Sequence, residues 1–139
     1  MLVRDLMTSP AVTIRPDDAV VDAARLLDRL NLTSLPVVDD DLGLLGIVSE
    51  ADVIAQLATP RHGARQGPLV RDVMTLRVLS VSADEDVSRV VELMSGTILK
   101  SLPVLLHNRV VGMVSRRDIV RAIAHGDLDA RHADAFSRA

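Results

Sequence analysis

Apolar and polar positions alternate along this chain in two recurring periods. In residues 18–31 Val20, Ala24, Leu27 and Leu30 fall at the three-to-four spacing of one helix face. Asp17 and Asp18 stand at its start, where a helix N-terminus favours acids. Ahead of it, "AVTI" (11–14) is a short β-favouring run. "SLPVV" (34–38) and "LLGIV" (44–48) read as apolar strands around the turn "DDDLG". Pro36 lacks an N–H and is expected at a strand end or edge. A helix over 50–58 completes the series strand, helix, strand, strand, helix. The same order returns at 78–81, 84–96, 101–106, 109–114 and 116–125, with Val87, Val91 and Met94 on the counterpart helix face and Gly96 as its C-cap.

The return is literal. "VRDLMT" (3–8) comes back as "VRDVMT" (70–75) and "SLPV" (34–37) as "SLPV" (101–104), each 67 residues later. "GIVSEADVI" (46–54) comes back as "GMVSRRDIV" (112–120), 66 residues later. One residue is therefore missing from the second copy, at the turn between the paired strands, where a length change costs least. The chain divides into repeat 1 (1–58), a linker (59–69) with two Pro and two Gly, repeat 2 (70–126) and a polar, Ala-rich tail (127–139). Each half, at about 55 residues, is marginal alone. The halves are expected to pack together with pseudo-twofold symmetry as one α+β module.

Composition narrows the function. Of 139 residues 48% are hydrophobic, enough for a core, and the net charge of −3 weighs against nucleic acid as a partner. There is no cysteine, hence no disulfide framework, thiolate metal site or thiol nucleophile. One Phe, with no Tyr or Trp, leaves no aromatic platform for single strands, so a flat ligand must lie between aliphatic faces. No apolar run is long enough to span a membrane. "MLVRDLMTSP" lacks a signal-peptide core, and the cytoplasm is the expected location. His62, His107, His125 and His132 show no metal-ligand spacing. No nucleophile elbow, glycine-rich phosphate loop or acid–base constellation stands out, so no catalysis is expected.

Two in-register copies of strand, helix, "SLPV", turn and "G-h-V-S-x-x-D", each led by "V-R-D-h-M-T", resemble a tandem CBS-domain pair, a Bateman module of stand-alone type. The resemblance covers residues 1–125. It implies two β-α-β-β-α repeats with two clefts between them. It implies no catalytic cofactor, only a regulatory adenosine-containing ligand such as AMP, ADP, ATP or S-adenosylmethionine. A homodimer is also implied, with a target protein outside the chain. "VIAQLA" (53–58) and "IVRAIA" (119–124) offer apolar stripes for pairing.

The chemistry of S-x-x-D suits such a ligand. A carboxylate accepts from both ribose hydroxyls, and a hydroxyl at a helix N-terminus suits phosphate. The resemblance assigns Asp52 and Asp118 to ribose and Ser49 and Ser115 to the phosphate side. The same spacing also writes a helix capping box, and both roles stand open together. Between Ser and Asp the first copy carries Glu50 and Ala51, the second Arg116 and Arg117. An anionic phosphate should prefer the second on Coulomb grounds, unless the arginines are simply solvated. By resemblance Lys100, whose counterpart is Thr33, reaches phosphate in the opposite repeat's cleft; a solvent-facing lysine is the alternative. Base walls fall by family position to Met7, Val12, Leu32 and Ile47 in one site, and to Met74, Leu79, Leu99 and Met113 in the other. Residues of these types are more often plain core than ligand wall, and only family position marks them out. Two rival functions remain, a ligand-free dimerisation or docking scaffold of the same fold and, more remotely, a nucleic-acid-binding regulator.

Overall fold

A computed structural model describes residues 1–58 and 67–129. Most of the expected linker and tail, with His62 and His132, lies outside the described residues. The elements are α1 (Val3–Leu6), α2 (Val20–Arg29), β1 (Ser34–Val38), β2 (Leu44–Ser49), α3 (Glu50–Ala58), α4 (Val70–Val73), β3 (Val81–Ser82), α5 (Val87–Met94), β4 (Ser101–Leu106), β5 (Arg109–Ser115) and α6 (Arg116–Ala124). No helix among the described residues is long and apolar enough to cross a membrane.

Two compact units form, and their boundaries do not follow the repeats. Among the described residues, one comprises those of Val12–Val78 with Asn108–Val110; the other comprises Met1–Ala11, Leu79–His107 and Val111–Asp129. They are called here the first-repeat unit and the second-repeat unit. Each repeat's leading turn belongs to the other repeat's unit. In the second-repeat unit the N–H groups of Val3 and Arg4 donate to the carbonyls of Glu85 (2.9 Å) and Ala83 (3.0 Å), and Arg4 pairs with Asp84. In the first-repeat unit Val70 and Arg71 donate to Asp18 (2.8 Å) and Pro16 (2.9 Å), and Arg71 pairs with Asp17. Each turn is closed by its own aspartate: Asp5 accepts the Leu2 N–H at 2.9 Å, and Asp72 the Leu69 N–H at 3.0 Å. "V-R-D" is thus a one-turn helix with its own cap.

Each unit has a separate core. Ile14, Ala23, Leu27, Leu35, Val37, Val48 and Val70 are buried together in the first-repeat unit. Val3, Leu6, Val81, Val87, Val90, Met94, Leu102, Val104 and Val114 are buried together in the second. The inward faces of α2 and α5 therefore read Val20, Ala23, Leu27 and Val87, Val90, Met94. The expected Ala24 and Val91 are only half-buried, and Leu30 is exposed. A face running 20, 23, 27 follows the helical period as closely as one running 20, 24, 27.

β1 and β2 pair antiparallel, Leu35 opposite Val48 and Val37 opposite Gly46. Around their turn Asp39 accepts the N–H groups of Asp41 and Gly43, both at 2.8 Å. β4 and β5 are neighbours in a sheet ordered β3-β4-β5 and join through His107 (φ 51°) and Asn108 (φ 63°). Two left-handed residues make the tight hairpin loop whose twist matches the strands, so the residue missing from the second copy falls in this turn.

The expected first strands are shorter than their β-favouring runs. Residues 11–14 contribute one parallel bridge, Ile14 to Val37. The run 78–81 yields only β3, Val81 and Ser82, parallel to Val104 and Leu105. The reason lies across the ladder. Extending either parallel pairing toward the N-terminus requires an N–H from Pro36 or Pro103, which neither has. Pro36 presents its carbonyl to the Ile14 N–H at 3.1 Å, so its missing donor faces away from β2 and costs the antiparallel ladder nothing.

The helix boundaries are also trimmed. Ala19, not an aspartate, is the N-cap of α2. Asp18 instead accepts the Arg15 N–H at 2.9 Å in the preceding turn. Asp86 is the N-cap of α5, its carboxylate accepting the Ser88 N–H at 2.9 Å, and Gly96 follows the helix at φ +71°.

Candidate functional site

Within each unit the leading phrase V-R-D-h-M-T meets the phrase G-h-V-S-x-x-D. In the second-repeat unit β5 runs directly into α6, and Ser115 is the N-cap. The Asp118 N–H donates to Ser115 Oγ at 3.3 Å, while Asp118 Oδ2 accepts the Ser115 N–H at 2.8 Å and its hydroxyl at 3.1 Å. The other carboxylate oxygen, Oδ1, accepts the Thr8 hydroxyl at 3.2 Å and faces an Arg121 Nη at 3.5 Å. Asp118 is 6% exposed, the buried charged residue of the described core. A buried carboxylate is tolerated where donors surround it.

The first-repeat unit repeats the pattern more openly. Asp52 Oδ2 accepts the Ser49 N–H at 2.9 Å and hydroxyl at 3.0 Å, and the Asp52 N–H donates to Ser49 Oγ at 3.2 Å. The Thr75 hydroxyl donates to Asp52 Oδ1 at 3.3 Å. Asp52 is half-buried, and Ala55 stands where the other copy has Arg121.

Glycine makes this approach possible. A Cβ on Gly112 would lie 2.7 Å from the Met7 sulfur and 2.8 Å from the Thr8 carbonyl oxygen. On Gly46 it would lie 2.7 Å from the Thr75 carbonyl oxygen and 3.1 Å from the Met74 sulfur. "M-T" thus lies against the glycine of "G-h-V-S-x-x-D", held by paired backbone bonds. Thr8 and Met113 exchange bonds of 2.8 and 3.0 Å, and Thr75 and Ile47 exchange bonds of 2.8 and 2.9 Å. Thr8 and Thr75 had no role on sequence grounds. Their signal was present, since both end the repeated leading phrase.

Both readings of S-x-x-D concern these atoms, and the capping box is fully formed in both copies. Of the base-wall residues, Met7 packs beside Gly112 and Met113 in the second-repeat unit, and Met74 beside Gly46 and Ile47 in the first-repeat unit. None of the eight is fully buried: Val12 is 37% and Leu79 54% exposed, and the rest are half-buried.

The cations occupy distinct places. Arg116 donates through Nε to the Leu99 carbonyl at 2.6 Å and through Nη2 to that of Thr97, fastening the loop before β4. The Arg116 N–H donates to the Lys100 carbonyl at 3.0 Å, which sets Lys100 beside the start of α6. Lys100 and Arg117 are exposed and make no ion pair among the described residues. A groove of about 270 Å³ in the first-repeat unit is lined by Leu27, Asp28, Asn31, Leu32, Glu50 and Val53. It brings Leu32 to Glu50 but not to Asp52. Among the described residues no three His, Cys, Asp or Glu side chains gather as a metal site requires.

The CBS-domain family model matches residues 3–59 and again 70–125. The chain belongs to the CBS-domain family. Its fold is similar to the CBS domain pair of protein MJ0100, solved with 5′-methylthioadenosine and S-adenosyl-L-methionine. The TM-score is 0.78 and the identity 30%, over 91% of this chain and 98% of that one. It is similar to CBSX2 in complex with AMP at a TM-score of 0.79 and 28% identity, over 89% and 97%. In sequence it is 31% identical over 121 residues to the L-aspartate semialdehyde sulfurtransferase of Methanocaldococcus jannaschii, covering 86% of this chain and 23% of that protein. The chain spans 22–24% of the length of three such curated relatives. The CBS pair is thus mixed α and β, and each of its units carries one Ser, Thr, Asp cluster at a helix start.

Proposed function

We propose that this CBS pair is a non-catalytic sensor that binds an adenosine-containing ligand at its Ser-x-x-Asp clusters. One observation carries the reading. In each unit a carboxylate is held at a helix N-terminus beside serine and threonine hydroxyls, next to a methionine and other apolar side chains that are not fully buried. The ribose diol would take the face of Oδ1 now offered to Thr8 or Thr75, since a carboxylate oxygen accepts more than one bond. Phosphate would meet the serine and the first turn of the helix. The base would lie against the aliphatic walls. Similar domain pairs solved with AMP and with S-adenosylmethionine support the ligand class.

The module would pair as a homodimer and pass occupancy to a target protein. α3 has no buried residue, and Ile54 and Leu57 are 64% and 82% exposed. On α6 Val120 is 60% exposed. Ligand would shift such an assembly only through different affinities for its two states.

The capping boxes favour one rival, a scaffold whose aspartates serve α3 and α6 alone. Equilibrium dialysis separates the two. With no Trp or Tyr in the chain, adenine absorbance on the protein side reports bound ligand directly. Excess absorbance with AMP, ADP, ATP or S-adenosylmethionine supports the sensor, and none with any of them at ~1 mM leaves the scaffold.

A further inference from the structure

The two clusters share their aspartate, serine, threonine and methionine but differ in charge. The differing residues are equivalent in space as well as in sequence. The Arg116 N–H donates to the Lys100 carbonyl at 3.0 Å, and the Glu50 N–H donates to the Thr33 carbonyl at 3.0 Å. Around the start of α6 stand Arg116, Arg117 and Lys100; around the start of α3 stand Glu50, Ala51 and Thr33. The start of α6 thus carries three positive charges, and the start of α3 a single negative one.

The Arg116 guanidinium is pinned by the Thr97 and Leu99 carbonyls, so its charge is fixed beside the helix N-terminus at little further entropic cost. Arg117 and Lys100 remain exposed, with no ion pair among the described residues. Glu50 is exposed on the rim of the groove that also holds Asp28.

We infer that the pair sorts its ligands by charge. The Asp118 cluster selects adenosine ligands that carry 5′-phosphates. The Asp52 cluster selects adenosine ligands without phosphate, whose 5′ group is neutral or cationic. The inference rests on the adenosine-binding reading of both clusters. A phosphate at the start of α6 gains charge-assisted bonds and the helix N-terminus together. At the start of α3 the same helix end is offset by Glu50, and a phosphate there meets repulsion.

The test uses the full chain and two probes, AMP and 5′-methylthioadenosine, followed by calorimetry. Asp52→Asn leaves the Asp118 cluster as reporter and should bind AMP about tenfold or more tighter than 5′-methylthioadenosine, a preference that shrinks as salt rises. Asp118→Asn should show the reverse preference. Because Asp118 caps a helix from a buried position, Glu50→Arg in the otherwise unchanged chain is the second route. It should raise AMP stoichiometry and narrow the preference of the Asp52 cluster for 5′-methylthioadenosine over AMP. Equal preferences in the two aspartate variants, or no effect of Glu50→Arg, overturn charge sorting and leave adenosine binding standing. Binding of neither probe to the unmodified chain overturns charge sorting, and silence from ATP and S-adenosylmethionine as well overturns adenosine binding itself.

Discussion

The Thr8 hydroxyl donates to Asp118 Oδ1 at 3.2 Å, although the two residues stand 110 positions apart in the chain. The bond ties the first repeat's leading turn to the second repeat's helix start. Thr75 and Asp52 make the counterpart bond at 3.3 Å. Thr8→Val leaves one side of a buried carboxylate short of a donor and should lower stability by about 1–2 kcal/mol. Thr75→Val should cost less, because Asp52 is half-buried and water can replace the hydroxyl. Urea midpoints of the two variants check the order.

Gly112→Ala should be among the more damaging small substitutions. Its Cβ would lie 2.8 Å from a backbone carbonyl oxygen of Thr8, which cannot swing aside as the Met7 sulfur can. The expected loss is about 1–3 kcal/mol. Met7→Ala added to Gly112→Ala relieves only the sulfur contact, so the double variant should not return to the stability of the Met7→Ala variant. Chemical denaturation of the three proteins decides.

Asp86 gives the pH dependence. The Ser88 N–H, and then the Ser88 hydroxyl, hold its carboxyl below the usual carboxylate range. The folded pKa lies under the unfolded one, so the capping stability is fully present above the unfolded pKa and is lost as pH falls through the folded pKa. Asp86→Ala should cost about 1 kcal/mol at neutral pH. The gap to the unmodified chain should close in acid below the carboxylate range. Thermal melts of both proteins across that range test it.

Much of this architecture was legible in the residues, and the illegible part has definite causes. The hairpins and α3 were read closely, because apolar strands broken by Asp, Gly or Asn turns and a duplicated helix start leave little freedom. The first strands were overread. "AVTI" has strand propensity, yet its length is set by Pro36 on a different segment. The pairing of Ser49 with Asp52 and of Ser115 with Asp118 was legible because its spacing is local. Thr8 and Thr75 were not, because their partners lie in the other repeat.

The exposed apolar faces predict an association state. Ile54→Glu with Leu57→Glu places two charges on the exposed face of a helix whose core contact is made by half-buried Val53. If this face joins two copies, sedimentation should give a dimer for the unmodified chain and a monomer for the variant, with little change in unfolding midpoint at low concentration. A monomeric unmodified chain at micromolar concentration would remove the dimer from the account.

Calorimetric titration of the unmodified chain and the Asp52→Asn, Asp118→Asn double variant tests the central claim most directly. AMP, ATP, S-adenosylmethionine and 5′-methylthioadenosine are each titrated into both. The account predicts saturable binding of at least one ligand to the unmodified chain and a loss of about tenfold or more in the folded double variant. Silence from all four at ~1 mM, or equal affinity in the two proteins, would contradict it.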